Sequence, residues 1–239
     1  PVGQHPPSQY RNFRLARKHC EFQPRSDMAC SIGSDGYLYL SGGRPSQSTS
    51  TGLFNDLWRS KDGMSWKLVC STCPWTARHS HVMVQCPRTP GVLLLLAGQG
   101  QQVDGGWQTF NDVWQFEPSV PSSGSTGGVW RCLTEAAGWS PRVQPSVRLG
   151  HNGDIIAIGG EVVCPQEKPS LNRIAAASDD LLSDVWQSTD GGATWTRVLE
   201  EAPFAAAKAP WFEFLPEHGC YIIFSARTGT IGQSSKVFK

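Results

Sequence analysis

Three short apolar runs along this chain stop abruptly at glycine: Tyr37-Leu38-Tyr39-Leu40-Ser41-Gly42-Gly43, Leu93-Leu94-Leu95-Leu96-Ala97-Gly98 and Ile155-Ile156-Ala157-Ile158-Gly159-Gly160. They are of strand length and do not alternate with polar residues, the pattern of strands buried on both faces. After a variable segment each is followed by a second motif: Phe54-Asn55-Asp56-Leu57-Trp58, Phe110-Asn111-Asp112-Val113-Trp114 and Leu182-Ser183-Asp184-Val185-Trp186. A turn and another tryptophan then appear, at Trp66, Trp130 and Trp195. Trp66 to Arg78 spans 12 residues, as does Trp130 to Arg142, and Arg25 to Gly42 spans 17, as does Arg142 to Gly159. A repeat held in phase like this marks stacked supersecondary units that cannot bury their faces alone.

Each unit predicts four strands. The first follows the arginine (27–32, 80–85, 144–149), the second is the apolar run, the third carries Asp-Leu/Val-Trp, and the fourth carries the second Trp. Gly42, Gly43, Gly98, Gly159 and Gly160 are expected to serve chain reversal where backbones crowd near an axis, the second unit having Gly98-Gln99 in place of a glycine pair. Trp58, Trp66, Trp114, Trp130, Trp186 and Trp195 are wide enough to fill the wedge between twisted sheets. Arg25, Arg78 and Arg142 recur at the opening of each unit and read as architectural.

The flanks extend the phase. Tyr221–Ala226 matches the second strand, with Ala226 at the first glycine, and Ser235–Lys239 matches the third. Phe13-Arg14-Leu15-Ala16 matches Trp66-Lys67-Leu68-Val69, and Phe13 to Arg25 is again 12 residues. The expectation is an all-β fold, one propeller domain over residues 1–239 built of four-stranded antiparallel blades. Residues 24–73, 74–138, 139–202 and 203–239 are expected to form four blades, with residues 1–23 supplying the outer strand that closes the last. The alternative is a segment of a six- or seven-bladed propeller.

Composition narrows the function classes. The 25 Gly, 17 Pro and 10 Trp suit many short elements punctuated by turns. A net charge of +1, with no run of Lys or Arg, argues against nucleic acid. No apolar stretch approaches the ~20 residues of a membrane span. The chain opens on Pro1, which reads as a processed form or an excised segment. Eight cysteines favour a secreted or lumenal setting, although no Asn-x-Ser/Thr acceptor occurs.

The strand, Gly-Gly, loop, Asn-Asp-Val-aromatic, turn and Trp order resembles the kelch family over residues 24–200. Ser188-Thr189-Asp190-Gly191-Gly192-Ala193-Thr194-Trp195 is similar to the Asp-box of sialidase-like propellers, and Ser60–Trp66 is a version one residue shorter. In that resemblance the box, Asp190 included, is structural. Arg14 stands in a Phe-Arg-Leu-Ala segment similar to the carboxylate-binding arginine segment of sialidases, but no full constellation of sialidase roles can be assembled around it. His79 and His81 lie two apart, which on a strand places both on one face. Galactose oxidase shares the kelch ring and uses copper, yet no further ligand of suitable spacing accompanies them here. Cys70-Ser71-Thr72-Cys73 is half a zinc site at most, and no dinucleotide loop or nucleophile elbow occurs, so no cofactor or metal is expected.

Function is expected in the variable segments Arg44–Leu53, Gln99–Thr109 and Glu161–Leu181, which change length while the strands keep phase. Arg44, Trp107, Asn172 and Arg173 are the candidate partner-binding residues, Trp107 on a Gly-Gly tip and 170–177 as one or two helical turns. The favoured expectation is a non-catalytic interaction or scaffold module, not an enzyme, holding protein partners within a larger assembly. The alternative is a sialidase-like or galactose-oxidase-like propeller that binds or processes glycans.

Overall fold

The computed structural model describes residues 18–46, 52–87, 89, 91–102, 105–119, 127–150, 152–163, 180–203, 206–207, 209–225 and 234–238. The matching strand expected at Phe13–Ala16 lies outside them, as do 170–177.

The chain is a β-propeller of antiparallel sheets, and no α-helix occurs among the described residues. In the first unit, β1 (Arg25–Ser26), β2 (Ala29–Ile32), β3 (Leu38–Ser41), β4 (Arg44–Pro45), β5 (Leu57–Ser60) and β6 (Trp66–Cys70) follow one another. The four longer strands make one sheet in the order β2-β3-β5-β6, while β1 and β4 pair apart from it as a two-stranded ribbon. The second unit repeats this with β7 (Arg78–His79), β8 (Val82–Gln85), β9 (Leu93–Leu96), β10 (Gln99–Gln101), β11 (Trp107–Thr109), β12 (Val113–Pro118) and β13 (Gly128–Thr134). Its blade runs β13-β12-β9-β8 and its ribbon β11-β10-β7. The third blade is β14 (Ser146–Leu149), β15 (Ile155–Glu161), β16 (Leu181–Ser188) and β17 (Thr196–Leu199), with a single bridge, Val143 to Glu161, in place of the ribbon. β18 (Trp211–Leu215), β19 (Cys220–Ser225) and β20 (Ser234–Phe238) form a further sheet. Here Trp211 pairs with Phe224, as Ala29 pairs with Ser41, so Ser225 and not Ala226 stands at the first glycine's place; Ile223 then pairs with Lys236, as Leu40 pairs with Trp58, which puts β20 two residues from its expected place. The inner strands touch in succession, β2 on β8, β8 on β14 and β14 on β18, which places them next to the axis.

The apolar runs work as their pattern requires. Leu93, Leu94, Leu95 and Leu96 are all fully buried. Leu93 and Leu95 join Tyr39, Leu57 and Trp75 toward the first blade, while Leu94 and Leu96 join Val147, Ile155 and Trp139 toward the third. A strand with one core on each face has no polar side to alternate with. Burying one such leucine is worth about 1.5–3 kcal/mol, so the inter-blade seams carry much of the fold's stability.

The repeated arginine is tied within its own blade. Arg25, Arg78 and Arg142 grip Asp56, Asp112 and Asp184 through paired hydrogen bonds of 2.6–2.9 Å. Each also donates to the carbonyl before the second Gly-pair residue, at Gly42, Ala97 and Gly159, over 3.0–3.1 Å. The indole N–H of Trp58, Trp114 and Trp186 donates to the same carboxylates, two residues back. Asn55 and Asn111 turn the other way, donating to the carbonyls of Trp75 and Trp139, which are 1% and 2% exposed. These two tryptophans are core residues that the repeat reading missed, although Trp66 to Trp75 and Trp130 to Trp139 are both nine residues.

Two details depart from expectation. The left-handed pair of the second unit is Ala97-Gly98 (φ 64° and 95°), matching Gly42-Gly43 (56° and 97°) and Gly159-Gly160 (62° and 104°), so Gly98-Gln99 is not the pair. The first strand of each blade also starts later than predicted, because Asp27, Ser80 and Gln144 are left-handed at φ 54°, 55° and 50°. That break separates each arginine's ribbon from the blade below it.

Candidate functional site

The left-handed break recurs at Ala209 (φ 43°), so at this position of four successive units a non-glycine residue adopts a conformation costing about 1–2 kcal/mol. They are bonded in series from blade to blade: Ser80 N–H to Asp27 C=O (2.8 Å), Gln144 N–H to Ser80 C=O (2.9 Å), Ala209 N–H to Gln144 C=O (2.7 Å). The result is an arc of strained backbone beside the axis, on the face where the segments after the Gly pairs emerge. Strain held by a repeated bond network is concentrated where a site is assembled.

The side chains on this face come from the ribbons. Arg44, on β4, pairs its Nε with Asp27 Oδ2 at 2.6 Å, both side chains remaining about a quarter exposed. His79, on β7, meets Ser80 Oγ through Nδ1 at 3.0 Å. Trp107 opens β11, half-buried and edge-on to His79 with ring centroids 6.2 Å apart, so it folds onto its own ribbon. Pairing in β11-β10-β7 sets Gln99 opposite both His79 and Thr109, and Gln101 opposite Trp107. Directly opposed residues share a face, so Trp107, His79, Gln99 and Thr109 stand together. His79 and Gln99 are 5% and 2% exposed, yet His79 Nε2 and Gln99 Nε2 have no hydrogen-bond partner. An orphaned buried polar atom costs about 1–3 kcal/mol, and these two stand opposite each other on the ribbon face that carries Trp107. Burial, then the nearby Arg44 cation, push the His79 pKa down to about 4, against a weaker opposing pull from Asp27, so the ring is neutral at neutral pH. Glu161, 2% exposed and bridged to Val143, occupies in the third unit the place of Arg44 and Gln99, first after the Gly pair.

Of the residues expected to bind a partner, Arg44 and Trp107 thus fall on this face, while Asn172 and Arg173 lie outside the described residues. Gln99 and Glu161 open two of the variable segments in which function was expected, though neither was singled out, while Asp27 and His79 lie outside those segments. Ribbon pairing brings His79 to Gln99, and the sequence signal for Asp27 and His79 was their fixed distance from the arginine. His79 and His81 do not share a face. The left-handed Ser80 between them turns His81 away to Ser41 Oγ (2.9 Å) and toward Trp75 (5.9 Å). No group of three or more His, Cys, Asp or Glu able to hold a metal occurs among the described residues.

The remaining repeat residues do structural work at the opposite end. Asp190 Oδ1 accepts from the Thr194 N–H (2.9 Å) and Ser188 Oγ (2.9 Å), and Trp195 donates to Gly192 C=O (3.1 Å), closing the box turn. Trp66 likewise donates to Gly63 C=O at 3.2 Å, and Trp130 packs on Phe116 at 5.0 Å. The seven described cysteines are free thiols. No helix among the described residues is long and apolar enough to cross a membrane.

No protein-family model and no curated protein matches the chain. Solved structures do. YjhT aligns at TM-score 0.58 and 14% identity over 89% of this chain and 65% of its own. The GH43_1 enzyme of Xanthomonas citri, solved with xylose, aligns at TM-score 0.50 and 12% identity over 90% and 70%. Fructan 1-exohydrolase IIa of Cichorium intybus aligns at TM-score 0.51 and 12% identity over 92% and 43%. This chain therefore spans 65% of the length of YjhT. At these identities the likeness is one of fold. It nevertheless corrects the expectation of a non-catalytic protein scaffold that is not an enzyme: the fold's neighbours include an enzyme solved with xylose and a fructan exohydrolase, which turns the reading to the glycan alternative.

Proposed function

We propose that this propeller binds glycans on the face around Trp107 and processes them as a glycoside hydrolase. The observation that carries the reading is the pair of orphaned groups, His79 Nε2 and Gln99 Nε2, on the ribbon face that carries Trp107, whose indole meets the His79 ring. A sugar ring offers an apolar C–H face to an indole and vicinal hydroxyls to adjacent donors and acceptors, and few other small ligands satisfy both at once. The neutral His79 can accept or donate to a hydroxyl without charge penalty. Glycoside hydrolysis further needs two carboxyl groups, one to protonate the leaving oxygen and one to act as nucleophile or base. Asp27, oriented by Arg44, and the buried Glu161 are the carboxyl residues we assign to those roles. Within propellers, the Gly pair and Arg–Asp–Trp tie support a kelch type of blade.

The test is a panel of nitrophenyl glycosides together with a glycan array, run on the whole chain. Trp107→Ala and Gln99→Leu should weaken binding at least tenfold. Asp27→Asn and Glu161→Gln should abolish turnover while binding persists. A chain that binds no member of the array, or binds one equally well without Trp107, defeats the proposal.

A further inference from the structure

At the far end of the first blade, away from the ribbons, a cavity of about 150 Å³ is lined by Tyr37, Arg59, Ser60, Lys61, Asp62, Ser65 and Lys67, three cations against one carboxylate. Arg59 and Lys67 stand directly opposite each other on β5 and β6. Like charges in that relation repel and destabilise a sheet. Lys61 adds a third cation: its Nζ lies 4.5 Å from the Tyr37 ring centroid, and the Arg59 guanidinium lies 4.8 Å from the same centroid. Among the described residues none of the three forms an ion pair. Lys61 Nζ donates to the Asp35 carbonyl (2.9 Å), and the neighbouring carboxylates are oriented by their own hydrogen bonds and not by the three cations. Asp35 accepts from Tyr39 Oη (2.7 Å) and the Tyr37 N–H (3.0 Å), and Asp62 from the Met64 and Ser65 N–H groups (2.9 Å each). Those turn bonds, chiefly from Ser65, hold the Asp62 carboxyl below its usual range. Arg59 Nε is buried and has no hydrogen-bond partner.

The blade does not need this arrangement. At the same register the second blade pairs Gln115 with Arg131, and the third pairs Gln187 with Thr196. A double cation therefore stands only where the cavity is. The cavity is well below the ~300–1,000 Å³ of a site for a whole drug-sized ligand, and is on the scale of one oxyanion group. We propose that it is a binding site for a tetrahedral oxyanion, sulfate or phosphate, either free or as the ester group of a sugar. Arg59 supplies its planar fork and the two lysines supply point charges. The site is independent of the glycan face.

Titration calorimetry and thermal shift on the whole chain test it, using sodium sulfate, sodium phosphate, N-acetylglucosamine 6-sulfate and, at matched ionic strength, sodium chloride. Arg59→Gln and Lys67→Thr install side chains that the other blades already carry at these positions, so folding is retained. The expected result is a sulfate- or phosphate-dependent rise in Tm beyond that with chloride, with affinity at least tenfold weaker in either variant. Each variant should be no less stable than the parent in anion-free buffer. The sulfated sugar binding at least tenfold tighter than sulfate identifies an ester ligand, and equal affinity identifies the free ion. Anion responses identical to chloride, or undiminished in both variants, overturn the proposal.

Discussion

Replacing Asp112 with Ala tests how the blades are tied. Arg78 is fully enclosed, with 0% of its side chain exposed, and its partner Asp112 keeps 14%. The guanidinium has four protein acceptors: Asp112 Oδ1 and Oδ2 (2.6 and 2.8 Å), Ala97 C=O (3.1 Å) and Thr76 C=O (3.0 Å), and it also lies 3.9 Å from the Phe110 ring centroid. Asp112→Ala removes the only negative charge among them and also strands the Trp114 indole N–H. An uncompensated buried charge costs about 3–5 kcal/mol. For a domain of this size that corresponds to a fall in Tm of about 6–20 °C. The joint replacement Arg78→Met with Asp112→Leu leaves no charge behind, so it should cost less than the two single changes summed, with a coupling above about 2 kcal/mol. The sheet β18-β19-β20 has this form naturally: Ala207 holds the arginine's place, and Ser234 the register position of the aspartate. Urea denaturation of Asp112→Ala and of the four proteins in the cycle (parent, Arg78→Met, Asp112→Leu and the double) gives the numbers. Additive single costs, or an Asp112→Ala loss below about 1 kcal/mol, would show that the pair is not a coupled tie.

Gly42→Ala should destabilise by about 1–3 kcal/mol, measured by denaturant titration, because at φ 56° the new Cβ would lie 2.8 Å from the Arg78 carbonyl oxygen and 2.7 Å from His81 Cε1. Neutral His79 makes stability depend on pH: the unfolded ring takes up a proton near pH 6.5, the folded ring only near 4. Stability is complete above about pH 6.5 and falls as pH drops toward 4, by roughly 3 kcal/mol at most. His79→Gln should flatten that part of the profile, and an unchanged slope between pH 4 and 6.5 would contradict the burial. Asp190→Ala should cost about 1–2 kcal/mol by opening the box turn, without weakening glycan binding at the opposite end.

The amino-acid pattern alone determined the blades. Strand length, burial on two faces, the box turns and the Asp-x-Trp bond across two residues are local. They follow from side-chain period and from groups too close in the chain to avoid each other. The sequence also marked the arginines as architectural, but not what they grip, since Asp56, Asp112 and Asp184 are 31, 34 and 42 residues away across loops of different length. Tertiary structure alone decided the axial face. The left-handed turns at Ser80, Gln144 and Ala209 are conformations that no side-chain preference there requests, Asp27 alone being of a type that favours one, and all four are linked by bonds from one blade to the next. The turn at Ser80 separates His79 from His81, and ribbon pairing sets His79 opposite Gln99 on the face of Trp107. A histidine and a glutamine twenty residues apart look ordinary in a string of letters. Only folding sets them opposite each other and closes water out around one nitrogen of each.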